Sequence, residues 1–268
     1  MKVHFIKKLC LTASLCGICF SSMAWWGVNG HRVTGEIADY YLTKKTRKAI
    51  KEILGNESVA MSSNWADFIK SDSTYDYLYS WHYVNSKGGM SHDEFTSKLL
   101  ADTGTNLYTK TNFIISELKN NKQLARETKV LYLRLLIHFI GDLHQPLHAG
   151  GRPEDRGGNG IRVLWFNETT NLHSVWDDKL LEFQKLSYTE YARSINHVTK
   201  EQLSEWQKTP MTEWFYESYQ VSQGLYADIK QPDQKLGYDY NFKYVETLNK
   251  QLLKGGIRLA ALLNELFG

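Results

Sequence analysis

Apolar residues recur three and four positions apart along most of this chain, the spacing of one face of a helix. The clearest run is 126–145, where Leu131, Leu133, Leu135, Leu136, Ile137 and Phe139 are apolar on several faces and so predict a buried helix. Helices are likewise predicted over 33–42, from a Thr43 cap to Gly55, over 64–70, over 108–120 and over 242–267. Ser91 with Glu94, Ser187 with Glu190 and Thr199 with Gln202 have capping-box spacing and mark further helix starts, as does Pro210. Two stretches break the pattern. Tyr75, Tyr77, Tyr79, Trp81 and Tyr83 alternate, which predicts an extended segment over 75–85. After a glycine-rich loop at 149–160, the residues either side of Asn167-Glu168-Thr169-Thr170 predict a small hairpin. No repeat, low-complexity tract or linker intervenes, so the expectation is one domain over 25–268, mainly α with one small β-hairpin.

The first 24 residues stand apart. Lys2, Lys7 and Lys8 precede an apolar run over 9–20, and the small residues Ser22 and Ala24 predict a signal peptide over 1–24, cut before Trp25 or Trp26. That run is too short for a membrane anchor, so an exported protein is expected, periplasmic or secreted, and a monomer. The whole chain has 32 Lys and Arg against 29 Asp and Glu; without the leader's three lysines the two counts are equal. A formally neutral chain excludes a broad basic surface for gripping duplex phosphates. Cys10, Cys16 and Cys19 all lie in the leader, so no disulfide is expected in what remains.

The candidate chemistry centres on His138-Phe139-Ile140-Gly141-Asp142-Leu143-His144-Gln145-Pro146-Leu147-His148. His138 and Asp142 are four apart and share a helix face. Pro146 is expected to end the helix and turn His148 back towards that face. His173 and Asp177 repeat the four-residue spacing, and His31, Asp67 and His82 lie in segments rich in Gly, Trp or Asp. His92 and His197 stand alone on polar helices and carry no such signal. Burying this many ionisable groups is costly unless a cation satisfies them. Nitrogen and carboxylate ligands without cysteine suit catalytic zinc, so the residues alone point to a multi-zinc hydrolase, with a buried histidine network as the competing reading.

These motifs, with Trp26-Gly27-Val28-Asn29-Gly30-His31, Trp65-Ala66-Asp67, Trp81-His82-Tyr83, Gly157-Gly158-Asn159 and Asn171-Leu172-His173-Ser174-Val175-Trp176-Asp177, resemble the zinc-dependent single-strand nucleases, the family of fungal nucleases P-one and S-one and the plant bifunctional nucleases. They occur in the family's order over 26–177; beyond that the resemblance is in helical character alone. It implies the helical zinc-hydrolase fold shared with phospholipase C, holding three zinc ions at the base of a cleft. Carried over, Asp67, His82, His138 and Asp142 resemble one ligand set, and His148, His173 and Asp177 a second. His31, a shared Asp142 and the N-terminal amine and carbonyl of Trp26 (or Trp25) resemble the third. His144 has no ligand counterpart and is expected to orient a ligand. Lys70 falls where the family places a cation against the transition-state phosphate. Tyr83 resembles the ring that stacks on the substrate base, and Asn159 is expected to line the site.

What the resemblance implies is an endonuclease acting on single-stranded DNA and RNA to give 5′-phosphates, with 3′-nucleotidase activity. Zinc makes this possible because it brings water to a pKa of about 7 and offsets the charge of the phosphodiester. This chain departs from the family in three places: Asn85 replaces an acid that many relatives carry, the first residue has two tryptophan candidates, and the disulfides of fungal members are missing. The alternatives are a zinc-dependent phospholipase C, which has a Glu at the place of Asp177, and an exported zinc-binding protein without turnover.

Overall fold

A computed structural model describes residues 27–268. The expected cleavage site, both N-terminal tryptophans and all three cysteines lie outside the described residues. The chain folds as α1 Val28–Tyr41, α2 Lys44–Leu54, α3 Val59–Ser62, α4 Trp65–Phe68, α5 His92–Leu100, α6 Leu107–Asn120, α7 Arg126–His144 and α8 Pro146–Ala149. A hairpin of β1 Arg162–Trp165 and β2 Glu168–Asn171 follows. The rest is α9 Leu172–Ser174, α10 Leu180–Glu182, α11 Tyr188–Ile195, α12 Lys200–Lys208, α13 Met211–Asp228, the short β3 Gln234–Leu236 and α14 Tyr238–Phe267. Thr43 caps α2, and capping boxes open α5, α11 and α12 as their spacing predicts.

Helix α7 is the axis of the molecule. Its first turns are half-exposed, but every residue from Leu135 to His144 is buried. Leu133, Leu135, Leu136, Phe139 and Ile140 fill one core cluster with residues of α2, α6, α13 and α14. A second cluster joins the sheet to the opposite side of α1 and α14 through Val33, Ile37, Val163, Trp176 and Ile257. Helix α1 crosses α14 closely: a methyl group on Gly256 would stand 2.5 Å from the Ile37 side chain, so only glycine allows that approach. No helix among the described residues is long and apolar enough to cross a membrane.

One expectation is corrected and another extended. The 75–85 segment is not extended: Ser73–His82 is a 3-10 helix, opened by Asp72, whose carboxylate accepts from Thr74 N–H at 3.0 Å. The alternating aromatics mislead because burial does not follow them; the buried residues are Leu78 and His82, four apart. The hairpin also gains a third strand, since β3 pairs parallel with β1 in the order β2-β1-β3. Three residues after Pro232-Asp233 carry too little periodicity to announce a strand, and the pairing partner lies about seventy residues away.

Candidate metal centre

Eight side chains from seven elements converge at the C-terminal end of α7. His138 and Asp142 come from α7 itself, His31 from α1, Asp67 from α4 and His82 from the last residue of the 3-10 helix. His148 lies on α8, His173 on α9, and Asp177 in the π-helical turn Val175–Lys179 that continues α9. They form three groups, each with ligand atoms within 4.8 Å of one another: His31, His138 and Asp142; Asp67, His82 and His138; and His148, His173 and Asp177. All are buried except Asp67, whose side chain is 15% exposed. The carboxyl end of a long helix carries partial negative charge, which favours a cation there.

Local chemistry explains the convergence. Pro146 does not merely stop α7; it occupies the first turn of α8, where its missing N–H costs nothing. Gln145 caps that turn by accepting from Leu147 N–H at 2.5 Å, and its amide donates to the Asp177 carboxylate. The His31 ring stacks on His138 at 3.9 Å between centroids, 17° from parallel. Gly141 makes room for it: a Cβ there would sit 2.5 Å from His31 Nδ1.

Backbone carbonyls set the imidazoles. Ser63 O accepts from His138 Nδ1 at 2.7 Å, His82 O from His148 Nδ1 at 3.1 Å, and Gly157 O from His173 Nδ1 at 2.6 Å. A neutral ring that donates from Nδ1 carries a lone pair on Nε2. The Nε2 atoms of His148 and His173 nevertheless face each other at 3.1 Å, beside Asp177. Asp142 Oδ1 and Asp177 Oδ2 are buried without a hydrogen-bond donor. With neutral rings, acceptors therefore oppose acceptors, and a proton or a metal cation must lie between them. Two nitrogens bound to one tetrahedral zinc at 2.0–2.1 Å stand about 3.3 Å apart, so the donor set and its spacing fit that ion. Each unmet buried acceptor costs about 1–3 kcal/mol, whereas a zinc bound by such a set returns on the order of 10 kcal/mol. Filling the centre wins.

The electrostatics agree. Burial opposes charge on His148, yet Asp142 and Asp177 outweigh it and lift the imidazole to about 10. Burial likewise pushes Asp142 up, but His138 and His148 hold it well below the carboxylate range. His82 goes the other way, down to about 4, because burial outweighs the pull of Asp142. A cage that retains a proton this firmly is one that demands positive charge at its centre.

Lys70 stands at the rim, 31% exposed, donating to Asp67 at 2.5 Å. Tyr83 is half-buried directly after ligand His82. Asn85 pairs in a short parallel bridge with Gly151, and its carbonyl accepts from Lys98 at 2.9 Å. Asn159 closes its own turn, donating to Arg156 O at 3.0 Å, two residues after the carbonyl that fixes His173.

One expected role fails. His144 orients no ligand: its ring points across α7, donates to Ile140 O at 2.8 Å and accepts from Arg258 at 3.1 Å. An adjacent position does that work instead. Gln145, which carries no charge and so gave no signal, holds Asp177. Asp178 was also silent; burial and the neighbouring Asp177 push its carboxyl up to about 7, against Gly27 at the start of α1.

Comparison with known proteins adds a family. The family model described as S1/P1 nuclease matches residues 26–268. The chain is 29% identical to "Endonuclease 4" of Arabidopsis thaliana over all of its own length and 96% of that protein. It is 30% identical to "Endonuclease 3" of the same plant, covering 90% of this chain and 89% of the relative. With "Nuclease P1" of Penicillium citrinum the identity is 26%, over 91% of this chain and 98% of that one.

Proposed function

Because this chain belongs to the S1/P1 nuclease family, a family of zinc-dependent hydrolases, we propose that its buried centre holds three zinc ions and cleaves single-stranded DNA and RNA internally, leaving 5′-phosphates. The observation that carries this reading is the approach of His148 Nε2 to His173 Nε2 beside Asp177, an arrangement that needs positive charge between its members. The first ion falls to Asp67, His82, His138 and Asp142, the second to His148, His173 and Asp177. The third falls to His31, Asp142 and the freed amino terminus of Trp26. One feature supports Trp26 over Trp25: the family match begins there.

Zinc bound here would supply positive charge and acidify water to about pKa 7. Three carboxylates offset only half the charge of three divalent ions, so the centre keeps a surplus that attracts phosphate. Lys70, braced by Asp67, adds a fixed ammonium where charge builds on the phosphate in the transition state. Tyr83 offers a ring on which an unpaired base stacks, and Asn85 both donates and accepts toward its edge. Asn159, two residues after the carbonyl that fixes His173, lines the site. The ligands are too deeply buried for a duplex to reach, while a splayed strand can enter. The same site accommodates 3′-nucleotides as phosphatase substrates. In this reading 1–24 is a leader removed on export, Trp25 is trimmed after it, and the rest of 25–268 works as one catalytic domain and as a monomer, periplasmic or secreted.

Native intact-mass analysis of the processed protein, joined to hydrolysis assays on single-stranded DNA and on phosphatidylcholine, tests all of this. The expected result is a chain beginning at Trp26 with three zinc ions that degrades DNA and spares the lipid. A metal-free yet active enzyme, or one that prefers phosphatidylcholine, overturns it.

A further inference from the structure

We propose that the polar cluster entered by His144, away from the candidate metal centre, binds a small monovalent anion, a halide such as chloride, between Arg258 and Trp214. The Arg258 side chain leaves α14 fully buried and reaches groups of α7 and α13. Its Nη1 is engaged, ion-paired with Glu217 at 2.8 Å and donating to His144 Nε2 at 3.1 Å. Nε and Nη2 are buried with no partner among the described residues. In a guanidinium these two nitrogens point N–H bonds side by side along one edge, the edge that grips an anion with a pair of hydrogen bonds. A buried edge of this kind without an acceptor is unstable as it stands.

Trp214, on the facing helix α13, adds a third donor. Its ring centroid lies 5.3 Å from the guanidinium carbon, and its buried indole N–H also lacks an acceptor among the described residues. Every buried side-chain atom of α13 and α14 left without a partner is a donor. A water molecule would satisfy such a set only by half, since its own two protons would find no unmet side-chain acceptor on either helix. An anion accepts from every direction and donates nothing.

The balance of charge points the same way. Arg258 and Lys254 bring two positive charges to the single carboxylate of Glu217, from which Lys254 is 2.9 Å away. His144 adds none: its Nδ1 donates to Ile140 O and its Nε2 accepts from Arg258, so the ring is neutral. Glu205 of α12 also attracts Arg258, but from the exposed surface, where solvent screens it. One monovalent anion closes the deficit. The full burial of Arg258 favours a monatomic ion over a bulkier oxyanion, and the partial exposure of Glu217 and Lys254 gives that ion a route from solvent. Once bound, it ties α13 to α14 and raises the stability of the fold.

The test melts the zinc-loaded wild type, Trp214→Phe and Arg258→Lys while sodium chloride replaces sodium gluconate at constant ionic strength. The wild-type Tm should rise by about 2–4 °C and then saturate. Trp214→Phe, which keeps the ring and loses the N–H, should retain about half of that rise or less, and Arg258→Lys none. Chloride acting on the zinc ions instead would raise all three proteins alike. In crystals grown with sodium bromide, the heavier halide should give an anomalous-scattering peak beside Arg258 Nε and Trp214 Nε1. A wild-type Tm indifferent to the anion, a full rise kept by both variants, or bromide found only elsewhere overturns the inference.

Discussion

Two polar clusters lie back to back across α7, and residues only two positions apart feed them. His138 and Asp142 face the ligand set; His144 faces Arg258, Lys254 and Glu217. Both clusters are buried and both use histidine. On the ligand side, ring nitrogens and carboxylates oppose one another with too few donors. On the other side, Arg258 donates to Glu217 at 2.8 Å, Lys254 to the same oxygen at 2.9 Å, and Arg258 also to His144. There the surplus is of donors: Arg258 Nε, Arg258 Nη2 and Trp214 Nε1 are buried without acceptors. Burial and Arg258 keep His144 neutral, down to about 3. The sign of the unmet hydrogen-bonding demand, not the presence of buried histidine, separates a centre that takes cations from one that repels them.

The largest effect expected from breaking this contrast is at Asp142. Asp142→Asn should abolish hydrolysis and release more than one zinc per chain, counted by native mass, because its carboxylate stands beside two ligand groups. Retention of all three ions would remove the distinction between the two sides.

Glu217→Gln should do the reverse, leaving zinc content and hydrolysis of single-stranded DNA intact while lowering stability. Taking its carboxylate partner from buried Arg258, which then keeps only His144 among its protein partners, costs about 3–5 kcal/mol in full burial. The 28% exposure of Glu217 reduces that to about 2–4 kcal/mol in a urea titration. Burial opposes the charge on Glu217, but Arg258 and Lys254 prevail and bring the carboxyl to about 2 from 4.5. A depressed folded-state value stabilises above pH 4.5, and that stability is lost as pH falls towards 2. The wild type should show this acid limb at constant metal loading, and Glu217→Gln should lack it.

The smallest change lies between the clusters. Gln145→Ala should weaken zinc at the His148, His173 and Asp177 group about 10- to 100-fold, read by competition with a chelator, because Asp177 loses the amide that aims it. Unaltered affinity would mean that the π turn alone holds Asp177 in place.

Much of this was legible in the residues. Helix α7, its capped neighbours, the pairs His138 with Asp142 and His173 with Asp177, and the turn towards His148 follow from spacing, because helical periodicity and proline chemistry are local properties; that the pairs converge followed from the family resemblance alone. What stayed hidden depended on partners far away in the chain. The direction of His144 is decided by Arg258, more than a hundred residues on, and the service of Gln145 by Asp177. The strand β3 exists only because β1 waits for it. The tyrosine alternation at 75–83 looked like a strand since hydrophobicity is a proxy for burial, and here half-exposed rings broke the proxy.

The ten-residue 3-10 helix has one more consequence. Hydrogen bonds in such a helix are less well aligned than in an α-helix, and this one buries just two of its side chains. It is the softest support any of the eight ligands has, while α7 is the firmest. Local fraying should begin there, so amide exchange in this segment ought to outpace the rest of the centre, and His82 should be the first imidazole to let go.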